Sequence, residues 1–242
     1  MTGNRLLDAL PDSEFAGFEG HLEGKVLSTG EGTHEHGERM SYVDFPIDAL
    51  LSVVVVMRSG AQVEVESVGR EGYVEIDAGL EALHAPRTSY CRIAGRVLRA
   101  PLDVFRDSMH RSPRFARLVR RNVSARFFSA GQNVACKAKH SIEQQLSRWL
   151  LQSRDRVDAS SFRVTHESMS EALGVRRATV TTAASSLEQH GAVLFTHGRV
   201  TIPDVAKLES MSCECYFAAR SVIVQSFSDD PIVGDYAEGP PG

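Results

Sequence analysis

Polar side chains that can bind nucleic acid are concentrated in one short stretch of this 242-residue chain. They are Arg176, Arg177, Thr179, Thr181 and Thr182. An arginine can donate two parallel hydrogen bonds to a guanine in the major groove, while threonine hydroxyls reach phosphates or base edges. Four further polar residues flank the stretch: Thr165, His166, His197 and Arg199. All nine are candidate contacts to double-stranded DNA.

The residues around this stretch predict a helix-turn-helix. Thr165 is a good N-cap for a first short helix, and Glu167 suits the positive end of its dipole. Gly174 stands where the turn needs a positive φ, and a second helix is predicted over residues 176–189. Apolar residues that could form a shared core recur at helical spacing: Met169, Leu173, Val175, Val180, Ala183 and Leu187. Such a unit places its second helix in the major groove.

A two-stranded wing is predicted after the second helix. Residues 193–195 and 199–202 lie on either side of His197-Gly198, a pattern typical of a hairpin, whose turn would present His197 and Arg199 to the DNA backbone. A small helical core with ordinary surface arginines is the alternative. The ordered succession of N-cap, turn glycine, polar helix start and hairpin favours DNA binding.

Residues 164–183 resemble, without a gap, the C-terminal domain of the Crp/Fnr family of bacterial transcription regulators. Arg177 and Thr179 stand where family members place an arginine that reads guanine and a threonine that contacts phosphate. Ala178 and Thr182 stand where the best-known members carry a glutamate and a second arginine. Because the chain departs from the family there, the operator sequence of those members cannot be carried over.

The resemblance implies an α+β protein with an antiparallel, jelly-roll-like β-roll sensor domain, a long dimerisation helix and a winged helix-turn-helix domain, in that order. The corresponding segments are residues 1–110, 111–139 and 140–208, followed by a C-terminal extension over 209–242. The sequence also contains short candidate strands in the first segment, at residues 26–27, 42–45, 50–57, 62–68, 89–93 and 96–100. The acidic end of the extension, residues 227–242, is predicted to be disordered.

The predicted dimerisation helix has an unusual composition. From Arg111 to His140 inclusive there is no Asp or Glu, against eight Lys or Arg. Apolar residues recur there at helical spacing: Phe115, Leu118, Val119, Val123, Phe127, Ala130 and Val134. A helix of roughly two dozen residues, about 36 Å at 1.5 Å per residue, must bury its apolar stripe. The resemblance implies burial against a second subunit, and packing on the chain's own β-domain is the alternative.

The charge distribution supports a nucleic-acid partner. The net charge of −4 divides into −10 over residues 1–90, +11 over residues 91–202 and −5 over residues 203–242. A basic segment beside acidic ends gives local affinity for phosphates. The longest apolar run, residues 50–57, is too short to cross a bilayer, and no signal peptide opens the chain. We therefore expect a cytoplasmic protein without a membrane partner, which would also contact RNA polymerase if it is an activator.

An effector site in the β-domain is less well supported. Family members that bind cyclic AMP contact it through a Gly-Glu pair and a later Arg-Ser or Arg-Thr pair. The corresponding positions here are Gly72, Tyr73, Arg87 and Thr88. Tyr73 replaces the glutamate, and Glu71 is displaced by one position, which in a strand turns a side chain to the other face. The sequence therefore favours a degenerate pocket and disfavours cyclic nucleotide binding.

The cysteines and two histidines predict no cofactor and no metal. The iron–sulfur members of the family use clustered N-terminal cysteines, whereas this chain has none before Cys91, so that cluster is not supported. Cys213 and Cys215 supply only two of the four ligands of a structural zinc site, which favours free thiols. His34 and His36 could bind a metal or haem, but the neighbouring glycines favour an exposed loop.

Two other functions stay open at this point. The chain has no Walker loop, nucleophile elbow or His-Glu-x-x-His motif, so we do not expect an enzyme. The weaker alternative is nevertheless a nucleotide-dependent enzyme built on the β-domain. The stronger alternative is a sensing or interaction module whose helix-turn-helix docks a protein. It is favoured by the low local charge, since residues 163–202 hold four arginines and three glutamates.

Overall fold

The structure of the protein, a computed structural model, describes residues 1–229 and 231–233. Most of the tail predicted to be disordered lies outside these residues. The N-terminal part begins with two short helices, α1 (Arg5–Asp8) and α2 (Asp12–Glu19). Seven strands follow: β1 (Glu23–Leu27), β2 (Gly32–His34), β3 (Tyr42–Pro46), β4 (Leu50–Val56), β5 (Gln62–Val68), β6 (Thr88–Ile93) and β7 (Gly95–Pro101).

These strands form two antiparallel sheets, in the orders β1-β7-β3 and β2-β6-β4-β5. Side chains from both sheets share one apolar cluster, which includes Leu27 and Val97 of the first sheet and Leu51 and Cys91 of the second. The sheets therefore pack face to face, as in a sandwich. The predicted antiparallel β-roll is confirmed.

The helical part follows β7. Its helices are α3 (Leu102–Arg111), α4 (Pro113–Lys139), α5 (Ile142–Val157), α6 (His166–Leu173), α7 (Arg177–Gln189), α8 (Val205–Ser210) and α9 (Glu214–Gln225). Its strands are β8 (Ser161–Arg163), β9 (Leu194–Thr196) and β10 (Arg199–Thr201), which form a sheet in the order β8-β10-β9. Within the described part of the chain, no helix is both long and apolar enough to span a membrane.

The long helix α4 has clear boundaries. The Ser112 hydroxyl accepts a hydrogen bond from the backbone N–H of Phe115 at 2.9 Å, and Pro113 occupies the first helical position. Proline is suited to this position because its missing N–H would have no partner there. The helix runs for 27 residues, about 40 Å, and ends at His140, whose backbone is extended.

The apolar residues of α4 divide between two surfaces, which corrects the prediction of one stripe. Phe115, Leu118 and Val119 are buried in the core of the chain's own N-terminal domain. Phe127 and Val134 are instead 82% and 71% exposed. Six exposed positions of the helix are spaced alternately by four and three residues: Arg120, Ser124, Phe127, Gly131, Val134 and Ala138. Ala135 and Lys139 beside them are exposed as well. This is the spacing of a coiled-coil seam.

The two domains meet at the buried side chain of Arg92 on β6. Its Nε donates to the Glu64 carboxylate on β5 at 2.9 Å, and its Nη1 donates to the backbone carbonyl of Ser168 in α6 at 2.7 Å. Glu64 also accepts a hydrogen bond from the indole of Trp149 in α5 at 3.2 Å. One buried ion pair thus connects the sheet to two helices of the C-terminal part.

We expect Arg92→Met to destabilise the protein strongly, because the Glu64 carboxylate would stay buried without its cation. Loss of one partner from a buried pair costs about 3–5 kcal/mol. The matched control is Arg96→Met, which removes an exposed ion pair with Asp48 and should change the free energy of unfolding by less than about 0.5 kcal/mol. Urea denaturation measures both, and equal effects of the two substitutions would contradict the role assigned to Arg92.

Candidate nucleic-acid interface

The turn between α6 and α7 has the geometry that the sequence predicts. Gly174 adopts φ +70° and ψ 35°, and its N–H donates to the carbonyl of Ser170 at 2.9 Å. A side chain would be strained in this left-handed conformation, so glycine is required. At the start of α6, the Thr165 hydroxyl accepts a hydrogen bond from the Ser168 N–H at 3.1 Å. The predicted N-cap is therefore present.

One face of α7 is polar and open to solvent. All five polar residues predicted for this helix start are exposed: Arg176, Arg177, Thr179, Thr181 and Thr182. Val180, Ala183 and Leu187 on the opposite face are buried in the domain core. The first turn contains no acidic residue and has no side-chain cap. Its free N–H groups and the helix dipole therefore favour an anion at this end.

His166 is only partly exposed, and its contacts hold the helices and wing together. Its Nδ1 lies 3.0 Å from the Thr181 hydroxyl, and its ring packs edge-on against Phe195 of β9 at 5.2 Å. The Thr181 hydroxyl also donates to the carbonyl of Arg177 at 3.1 Å. Both side chains already have partners within the protein, so they are better placed to orient α7 than to contact bases.

The wing turns sharply at His197 and Gly198. Their φ values are +49° and +73°. Two consecutive positive φ values match the right-handed twist of a two-stranded hairpin, and this is why the second residue is glycine. His197 and Arg199 are exposed at the wing, and the Arg199 guanidinium donates to the Ser161 hydroxyl at 3.3 Å.

The structure adds Arg163 to the candidate contacts. In the antiparallel pairing of β8 with β10, Arg163 lies directly opposite Arg199, and both are exposed. Like charges in directly opposite positions destabilise a sheet, whereas an anion bound between them would offset the repulsion. No local pattern predicts this pair, because β8 has only three residues and the pairing joins positions 36 residues apart.

The four residues predicted for an effector all have contacts within the protein itself. Tyr73 is buried in an aromatic cluster with Phe45 and Phe105. The Arg87 guanidinium already pairs with the Asp77 carboxylate at 2.5 Å. Gly72 approaches α4 closely, since a Cβ there would lie 3.0 Å from the Asn122 side-chain oxygen.

Thr88, the fourth residue, accepts a hydrogen bond from the backbone of His36 at 3.2 Å.

His36 is exposed, as expected, but His34 is buried on β2, so the expectation of an exposed loop was wrong for His34. A three-residue strand is too short for its alternation to be recognised.

An acidic group lies buried beside His34. The Glu75 carboxylate accepts a hydrogen bond from the Ser89 hydroxyl at 2.7 Å, and lies 3.6 Å from Nδ1 of His34. Burial raises the pKa of Glu75 and lowers the pKa of His34, so both shifts favour the neutral forms. We therefore describe this contact as a neutral pair rather than an ion pair.

Comparison with known proteins supports both the domain and the fold. The model of the Crp-like helix-turn-helix domain matches residues 144–211. No curated protein matches the chain. The solved structure of FixK2 from Bradyrhizobium japonicum has 12% identity and a TM-score of 0.65, over 79% of this chain and 98% of FixK2.

Two further solved structures have the same fold. A CRP-family transcriptional regulator from Thermus thermophilus is 21% identical with a TM-score of 0.61, over 78% of this chain and 96% of that one. The c-di-GMP-responsive global regulator CLP from Xanthomonas campestris is 13% identical with a TM-score of 0.62, over 79% of this chain and 99% of CLP. At these identities the likeness concerns the fold. The predicted resemblance to Crp/Fnr regulators is confirmed in the helix-turn-helix domain and in the overall architecture.

We expect Glu75→Gln to stabilise the protein near neutral pH. A carboxyl whose pKa is raised by folding contributes stability below its unfolded pKa, about 4.3, and loses it as the pH rises through the folded value. The amide avoids the cost of a buried charge and can still accept the hydrogen bond from Ser89.

The urea midpoint of this variant should exceed that of the wild type at about pH 8, and the difference should shrink toward about pH 5. Glu81→Gln is the matched control, because Glu75 and Glu81 both have a positive φ, and Glu81 is exposed whereas Glu75 is buried. A stabilisation that does not vary with pH would show that the charge of Glu75 is not its cause.

Proposed function

We propose that this chain, which has a Crp-like helix-turn-helix in a Crp/Fnr-type architecture, is a sequence-specific DNA-binding transcription regulator. It binds a near-palindromic operator as a homodimer, and its sensor domain is degenerate with respect to cyclic nucleotides. The observation that carries the proposal is the open polar face at the start of α7, together with the exposed arginines Arg163 and Arg199, which lie opposite each other on β8 and β10.

Seven of the nine predicted residues, together with Arg163, contact DNA in this proposal, while His166 and Thr181 orient α7. Arg177 reads a guanine in the major groove, with Arg176 and Thr182 as further base contacts. Its ion pair with Glu167 is long, 3.9 Å, and exposed, so it costs little to break. The residues that bind phosphates are Thr165, Thr179, His197, Arg199 and Arg163. The Thr165 hydroxyl accepts its capping hydrogen bond and therefore keeps its proton for a phosphate.

The exposed seam of α4 supports the homodimer. Phe127 and Val134 leave a large apolar area open to water along a helix about 40 Å long. The same seam on a second copy has matching spacing and would bury these side chains around a twofold axis. Two subunits arranged in this way present their α7 helices to successive major grooves, about 34 Å apart.

A second candidate function uses the same surface for a protein. Helix α6 already contacts the sheet of the N-terminal domain through Arg92, and residues 163–202 carry nearly balanced charge. A helix-turn-helix that docks a protein partner would show no preference for any DNA sequence. If the protein activates transcription, RNA polymerase would be a further partner, and we propose a cytoplasmic location for either role.

Selection of bound sequences from a random duplex pool by the purified protein, without added ligand, tests the proposal. We expect a palindromic consensus. Arg177→Ala should then weaken binding by about 1–3 kcal/mol and relax the preference at one position in each half-site. Arg163→Ala should weaken binding to all sequences and lower the salt slope by about 1, as expected for a phosphate contact.

Arg58→Ala is the control, because Arg58 is exposed in the hairpin between β4 and β5, and it should leave binding unchanged. Absence of any enriched sequence, both with the protein alone and after addition of cell extract, would contradict DNA binding. Uniform weakening by Arg177→Ala on every sequence would show that this residue contacts only phosphate.

We expect Phe127→Asp to dissociate the homodimer, because a carboxylate would be buried in an apolar seam. The dissociation constant of the dimer should rise at least about tenfold. Val26→Asp provides a matched control, since Val26 is 77% exposed on β1, far from α4 in the sequence. Sedimentation velocity measures the change, and a wild-type protein that is monomeric at all concentrations would refute the seam as a dimer contact.

A further inference from the structure

Three cysteines and one histidine converge where α4 ends and α9 begins. Cys136 lies in the last turn of α4, and His140 is the residue that ends this helix. Cys213 is the N-cap of α9, and Cys215 lies in its first turn. The four potential ligand atoms all lie within 4.8 Å of one another, and the three cysteines are buried.

We propose that Cys136, His140, Cys213 and Cys215 form a tetrahedral Cys₃His site for zinc. In such a site, Zn–S bonds of about 2.3 Å and a Zn–N bond of about 2.0–2.1 Å place neighbouring sulfurs about 3.8 Å apart, and sulfur and nitrogen about 3.5 Å apart. The Cys136 and Cys213 sulfurs are 3.6 Å apart, and the Cys215 sulfur lies 3.5 Å from Nδ1 of His140. Both distances match edges of the tetrahedron.

The groups around the cluster orient its ligands. Nε2 of His140 lies 3.2 Å from the Glu214 carboxylate, which holds the ring proton on that nitrogen and leaves the lone pair of Nδ1 facing the thiols. A carboxylate behind a metal-bound histidine is the usual outer partner of zinc ligands. The Gln132 amide donates to the Cys215 sulfur at 3.0 Å, which stabilises a thiolate.

The donor set also decides which metal fits. Three thiolates and one imidazole select a soft or borderline ion over magnesium or calcium, which prefer oxygen ligands. A cluster with several irons would need some of its ligands further apart, because they are divided among different irons. The four atoms are too compact for that arrangement. A single disulfide would use only two of the three sulfurs and would not explain why His140 and Glu214 lie beside them.

The four ligands come in two pairs far apart in the sequence, so no continuous motif marks the set. Cys136 and His140 are four residues apart, one helical turn, so they face the same side of α4. Cys213 and Cys215 follow more than seventy residues later. Only the packing of α9 against α4 brings the pairs together. This packing also involves the Arg121 guanidinium, which donates to the Gln225 carbonyl at 2.7 Å.

Zinc at this position would link α9 to the junction of α4 and α5. The binding free energy of a structural metal adds to folding free energy, so the loaded protein should be more stable than the metal-free one. The metal site does not depend on the proposed DNA binding, and its test uses no DNA.

The first measurement is the metal content of the purified full-length protein. We expect about one zinc per chain. Cys213→Ser and Cys215→Ser should each reduce this content at least about tenfold after dialysis against a weak chelator. Cys91→Ser should retain the zinc, because Cys91 is buried in the β-roll with its sulfur 3.2 Å from the Ile93 carbonyl.

The second measurement is the visible absorption of cobalt bound to reduced, metal-free wild-type protein. Because it uses the wild type, its result does not depend on whether the variants fold. Cobalt should give the intense visible absorption of a tetrahedral thiolate site, and zinc should displace it in a one-to-one ratio. His140→Cys should keep a tetrahedral spectrum with stronger sulfur character, whereas His140→Ala should weaken cobalt binding. Glu214→Gln should lower zinc affinity about 10–100-fold if this carboxylate positions the histidine.

Two outcomes would overturn the proposal. One is that cobalt gives no tetrahedral thiolate absorption in the reduced wild-type protein. This outcome counts equally whether the purified protein had free thiols or a disulfide between Cys136 and Cys213 before it was reduced. The other is cobalt binding that Cys91→Ser removes and Cys213→Ser leaves intact. Failure of the duplex selection with a normal cobalt spectrum would refute DNA binding alone.

Discussion

The buried ion pair between Arg92 and Glu64 determines how the two halves of this protein fit together. Its charges are removed from water and compensated by hydrogen bonds, since Arg92 donates to the Ser168 carbonyl and Glu64 accepts from the Trp149 indole. Because these partners belong to α6 and α5, the pair positions the helix-turn-helix on the β2-β6-β4-β5 sheet. The face of α7 that carries Arg177 is turned to solvent in this arrangement.

Helix α4 serves three surfaces along its length, and its composition reflects this. Its first turns supply Phe115 and Leu118 to the core of the β-domain. Its middle carries the exposed seam around Phe127, and its last turn holds the thiol of Cys136 in the four-residue cluster. The lack of acidic residues from 111 to 140 lets basic side chains of α4 pair with acceptors elsewhere, as Arg126 does with Glu66.

The predictions that were confirmed rest on interactions between near neighbours in the sequence. Thr165, Gly174 and the apolar spacing of α6 and α7 act within about twenty residues, so propensity and periodicity reveal them. The expectations that needed revision involve distant segments. The burial of His34 depends on the pairing of β2 with β6, and the position of Tyr73 depends on helices that follow thirty or more residues later.

The sequence by itself determined the helix-turn-helix with its wing and the residues of α7 that face solvent, because these follow from local capping, turn geometry and periodicity. The class of fold followed from the resemblance of residues 164–183 to Crp/Fnr regulators. Only the tertiary structure decided which face of α4 is exposed, that Arg163 lies beside Arg199, and that Cys136 and His140 meet Cys213 and Cys215. These outcomes depend on how strands pair and helices pack over long separations. Such contacts are set by the burial of the whole core rather than by any short stretch of residues.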